Sequence, residues 1–159
     1  MSNPVRVDGV GTRINSSGEF NEPNVGGHRA EFVRLYAAEA IPKGSAVAID
    51  VATTTNGLGN HIVLADGNAA ALSFAIGIAA ETIASGDLGK VQVAGVCDFA
   101  IHLRGTSVIG QALSAADAPP GSIDLRAGAT DSVLAISLVE GSSDTAADST
   151  VLLCNPANL

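Results

Sequence analysis

Residues able to do chemistry are few in this chain, and they are badly spaced for it. His28, His61 and His102 lie far apart, and none has a second His or Cys at metal-ligand spacing. Cys97 and Cys154 are the only cysteines. Two widely separated thiols make neither a disulfide framework nor a zinc site, and they read as two buried strand cysteines. Asp117 and Asp124 could pair as acid and base only if the fold happened to bring them together. Asp144 and Asp148 flank a polar hairpin loop, where turn chemistry accounts for them. Gly9-Val10-Gly11-Thr12-Arg13-Ile14 opens like a dinucleotide loop but lacks the third glycine and a preceding strand. Gly89-Lys90 is followed by Val91, so a phosphate loop fails at the residue that would hold magnesium. Gly105-Thr106-Ser107-Val108-Ile109-Gly110 is one residue too long for a nucleophile elbow and has no α/β context. Nothing supplies a nucleophile, a base and an orienting group together. The expectation is a non-enzyme, with no catalytic residue, no cofactor and no metal.

Composition agrees with a structural or binding role. Charged residues make up 15% of the chain and aromatics 3%, so the core must come from Ala, Val, Ile and Leu. A core of small side chains buries little area per residue, and an oligomer would supply the missing burial. The formal charge is −8 and the pI about 4.6, which repels phosphate backbones and argues against direct nucleic-acid binding. Mean hydropathy is +0.34, yet the longest apolar stretch, residues 69–80, is interrupted by Ser73 and Gly77 and falls short of a membrane span. The excess apolar character is therefore expected to meet another subunit. The first residues have no long apolar run of the kind a signal peptide needs.

The elements that would position any site are strands. Residues 1–30 are rich in Gly, Asn, Ser and Pro and read as an extended arm; residues 31–159 read as one β-domain. Phe32, Arg34 and Tyr36 alternate with Val33 and Leu35, as in a two-faced strand. Further strands are expected over residues 45–51, 61–64, about 73–80, 90–93, 96–103, 123–125, 132–140 and 149–155. Asn56-Gly57, Asp66-Gly67-Asn68, Ser85-Gly86-Asp87 and Ala118-Pro119-Pro120-Gly121 are turns. Residues 112–116 are short and alanine-rich and could be helical. Short strands, closely spaced turns and no long amphipathic helix give an all-β fold, a single sandwich or barrel.

The strand grammar runs twice. Ala40-Ile41-Pro42-Lys43-Gly44-Ser45-Ala46-Val47 has a counterpart in residues 100–108, where Gly105 answers Gly44. Ala75-Ile76-Gly77-Ile78-Ala79 aligns with Ala135-Ile136-Ser137-Leu138-Val139, and Val91-Gln92-Val93 with Val151-Leu152-Leu153. Two related hairpin units, about 37–95 and 97–155, are expected.

The order Ile41-Pro42-Lys43-Gly44, Ile76-Gly77-Ile78-Ala79, Gly86-Asp87, Val91-Gln92-Val93-Ala94-Gly95, then Ala135 to Leu138 and Val151 to Leu153 resembles the small capsid cement (decoration) proteins of tailed bacteriophages. The resemblance covers residues 37–155. In the second unit Ser137 replaces the motif glycine, and residues 144–148 replace the Gly-Asp turn. It implies a β-subunit, often a homotrimer, on the outer surface of the virion head, made in the host cytoplasm. Its partners would be the major capsid protein and itself, with no nucleic acid and no membrane. The alternative is a carbohydrate- or receptor-binding β-module of a phage fibre, against which the scarcity of aromatics stands. The arm lies outside the resemblance. Val5, Val7, Val10, Ile14 and Phe20, with Arg6 and Arg13, are spaced to add a strand to a neighbour's sheet edge, and are the candidate capsid contacts.

Overall fold

In the computed structural model, the described residues are 30–154, apart from Asn56, Leu58, Ala70, Ala71 and residues 103–107, 127–131 and 140–146. They form nine strands and no helix: β1 (Glu31–Ala37), β2 (Ala46–Asp50), β3 (His61–Leu64), β4 (Ala75–Ala79), β5 (Leu88–His102), β6 (Ala112–Ala115), β7 (Ile123–Leu125), β8 (Ala135–Ser137) and β9 (Ala147–Leu153). The fold is all-β, as the alternating apolar runs and Gly-rich turns predict. Residues 1–29 of the arm, with all its candidate contacts, lie outside the described residues.

The strands close into rings. In the first, β1 runs parallel to β3, with Tyr36 opposite His61. β3 pairs antiparallel with β2, β2 with β4 and β4 with β5. β5 returns antiparallel to β1, with Phe32 opposite Gln92, which closes a five-stranded barrel. Beyond Gly95 the same β5 opens a second ring of the same order and sense. It runs parallel to β7, then β7–β6, β6–β8, β8–β9 and β9–β5 are all antiparallel. Gly95 has φ 88, a conformation other residues rarely adopt, and it marks the place where β5 leaves one ring for the other. The strands expected over residues 90–93 and 96–103 are thus one strand of 15 residues.

Hydrogen bonding sets which positions are equivalent. Gly44 N donates to Ala79 O at 2.8 Å, and Gly110 N donates to Ser137 O at 2.8 Å. Both glycines have positive φ, 87 and 88. Gly110 therefore does for the second ring what Gly44 does for the first; Gly105, its counterpart by sequence, lies outside the described residues. Val47 faces Gly77 and Leu113 faces Ala135, so Ala135 holds the place of Gly77 rather than of Ala75. The shift is two residues, which preserves the inward and outward alternation that a shift of one would invert.

Three further expectations are corrected. Residues 112–115 form a strand, not a helix. A single alanine-rich turn cannot overcome the cost of helix nucleation, whereas Leu113 and Ala115 gain ladder partners in Leu125 and Ile123. β1 is not cleanly two-faced, because Phe32 and Val33 are both exposed at its start. Asp148 stands in β9, opposite Ile101, rather than at the edge of a loop.

Each ring is filled from the inward series of its strands. Val47, Ile62 and Val91 are fully buried in the first, with Ile41 and Ile83 joined by an isolated bridge at one end. Leu113, Ile123 and Val151 hold the same places in the second. Each such side chain contributes roughly 1.5–3 kcal/mol by leaving water. Gly77 sits where no side chain fits: a Cβ there would lie 2.4 Å from Gln92 O and 2.8 Å from a Val91 methyl. Gly77→Ala is expected to cost about 1–3 kcal/mol through this overlap. In urea unfolding the midpoint should fall with the slope unchanged, while an unaltered midpoint would mean that β4 and β5 are not so closely apposed.

Candidate functional site

Two places merit inspection, one polar and one apolar. The polar place is a recess of about 120 Å³ lined by Gly67, Ser73, Ser114, Asp117, Asp124 and Ser132, with small apolar neighbours. It brings Asp117 and Asp124 to one lining, the juxtaposition that their spacing left to the fold. Of the two carboxylates, that of Asp124 is held by its own strand; at Asp117 it is the main chain that is engaged. The Asp124 carboxylate accepts from Leu125 N at 2.6 Å, and the Asp117 carbonyl accepts from Asn68 Nδ2 at 2.8 Å. The lining offers carboxylates and hydroxyls but no His, Lys or Cys. Among the described residues no group of three or more His, Cys, Asp or Glu is placed to hold a metal. His61 lies apart from the recess, buried against Tyr36 with ring centroids 5.7 Å apart, and its Nδ1 has no hydrogen-bond partner.

The apolar place emerges from comparing the rings. Cross-strand neighbours Ala46, Ile78, Gln92 and Phe32 form a row on the outside of the first ring. The first three are buried, and Ala46 and Ile78 belong to one cluster with Cys97, Leu113 and Leu134 of the second ring. The outer face of the first ring thus closes the mouth of the second. Gln92 belongs to this join, donating through Nε2 to Ala94 O at 3.1 Å and Val96 O at 2.8 Å. The connection between β6 and β7 fastens it further: Ala46 N donates to Gly121 O, and Gly121 N to Ala65 O, both at 2.7 Å. Lys43 Nζ of the first ring stands 5.2 Å from the Phe99 ring of the second.

The equivalent row on the second ring is Ala112, Ile136, Leu152 and Val96. It is wholly apolar, since Leu152 replaces Gln92. The first three are only half-buried, and Val96 is 44% exposed. The mouth of the first ring is also open. Val33 is 39% exposed, whereas Cys97, at the matching place in the second ring, is fully buried. Val51, just beyond the end of β2, is 65% exposed. Asp50 shapes the turn that presents it, accepting from Ala52 N at 2.8 Å, from Thr53 N at 3.3 Å and from the Thr53 hydroxyl. That hydroxyl bond first, then the Ala52 amide, holds the Asp50 carboxyl below its ordinary value.

Sequence reasoning missed this face. A signal was available: Val151-Leu152-Leu153 is apolar at three successive positions, so whichever alternate set fills the ring, Leu152 or its neighbours must point outward.

Neither a family model nor a curated protein matches the sequence. Among solved structures, the N-terminal base of the head fiber gp8.5 of bacteriophage phi29 is similar, with 12% identity and a TM-score of 0.49. The match covers 80% of this chain and 96% of that one. A likeness at that level carries no functional argument.

Both cysteines are free. Burial pushes the Cys97 thiol up to about 11, and burial also raises Cys154, which is only partly covered. At pH 8 both thiols are therefore mostly protonated, and access decides between them. Titration with a disulfide reagent is expected to modify Cys154 slowly and Cys97 only after denaturant is added. Equal rapid reaction of both in native protein would contradict the burial of Cys97.

Proposed function

We propose that this chain is a non-enzymatic structural protein of a tailed-phage head, a cement protein that sits on the outer surface of the shell and bridges major capsid proteins. The observation that supports this most is where the resemblance's glycines fall. Gly44, Gly86 and Gly95 have φ of 87, 86 and 88, and Gly77 has no room for a Cβ. Each of these four glycines is thus tied to a backbone requirement, which supports reading the first-unit motifs as more than a run of common residues. A net acidic chain, a core of small aliphatic residues and a partly covered apolar row suit a protein that works by contact. The phi29 head fiber base is by its description also a protein of phage heads, but the reading does not rest on it.

Residues 1–30 would serve as the capsid-binding arm, with Val5, Val7, Val10, Ile14 and Phe20 filling pockets and Arg6 and Arg13 meeting acidic neighbours. Repetition around a symmetric shell multiplies a weak contact. Deleting residues 1–30 is expected to leave the circular dichroism of the β-domain unchanged and to lower occupancy on purified heads by at least about tenfold. Unchanged occupancy would remove the arm from the mechanism, and no binding of the intact chain to heads would remove the cement reading.

A further inference from the structure

The two unused surfaces fit each other, because the molecule already contains one copy of their contact. Inside the chain, an outer row of ring one (Ala46, Ile78, Gln92) closes the mouth of ring two at Cys97 and Leu134. The matching row of ring two (Ala112, Ile136, Leu152) is only partly covered, with Val96 exposed at its edge, and the mouth of ring one is open at Val33, where Cys97 is buried in ring two, and at Val51 beside it. We propose that these surfaces meet between two copies of the chain: the mouth of ring one in one copy docks on the outer row of ring two in the next, continuing the packing that joins the rings within each copy.

Chemistry favours a second copy over an unrelated partner. The internal contact is made by small aliphatic side chains, and both free surfaces are of that kind. The free row is more apolar than the used one, since Leu152 stands where Gln92 spends its amide on the join between rings. The contact is heterologous, joining two different patches, so repetition closes a ring or runs on as a chain. This inference does not depend on the capsid reading.

The test uses the full-length chain and two exposed positions, one on each surface. Val51→Glu spoils the mouth and Val96→Glu spoils the row; each is exposed, so the fold, checked by circular dichroism, should survive. In sedimentation velocity the wild type is expected to form oligomers. Each variant alone should associate at least about tenfold more weakly, because every contact would bury a charge. An equimolar mixture of the two should form a 1:1 dimer, since the V51E copy keeps an intact row and the V96E copy an intact mouth. Three outcomes would overturn the proposal: a monomeric wild type, variants that associate like the wild type, or a mixture no better than its parts. Should Val7→Glu abolish association while V51E and V96E leave it intact, the contact would belong to the N-terminal segment, and the proposal would fall.

Discussion

Much of the architecture depends on one strand serving two rings. Before Gly95, β5 closes the first barrel against β1; after it, the strand pairs with β9 and opens the second. The sharing fixes where the rings stand relative to one another. It also lets the outer row of the first fall under the mouth of the second, so that small side chains, buried from both sides, do the work of a larger core. A chain with 3% aromatics needs such an arrangement. Ala46, Ala48 and Ala75 bury little area each, but they permit close approach of one sheet to the next.

The site follows from the same repetition. A repeated unit that closes its neighbour leaves one surface unmatched at each end of the array, and a two-unit array has both unmatched surfaces in one molecule. That is why Val33 at one end and Leu152 at the other are less covered than their counterparts, Cys97 and Gln92. The recess holding Asp117 and Asp124 has a different origin. It is a by-product of the β6–β7 connection bending back to reach Ala46 and Ala65, and the backbone groups nearby already employ Asp124 and Asn68.

The sequence made much of this legible, because period-two patterning and glycine turns are local signals. His61–Leu64 and Ile123–Leu125 stand within the expected limits, and the turns at Gly44 and Gly86 lie where their neighbours place them. What was not legible is tertiary. Alanine's helix preference at 112–115 yields to ladder partners distant in sequence. The Gly44 counterpart is Gly110, separated from the sequence-matched Gly105 by residues whose pattern is too plain to fix a register. The continuity of β5 through Gly95 could not be read either, since a strand bend and a strand end carry the same residue. The apolar row was hidden because Val96, Ile136 and Leu152 meet only once β5, β8 and β9 are side by side.

The two rings are held as one body by the row beneath the second mouth. Native-state hydrogen exchange tests this most directly. The buried amides of Val47 and Val91 in the first ring and of Leu113 and Val151 in the second should open with the same free energy, equal to that of global unfolding. Leu113 and Val151 exchanging through a separate opening, several kcal/mol easier than that of Val47 and Val91, would show that the rings fold independently and that the shared strand does not couple them.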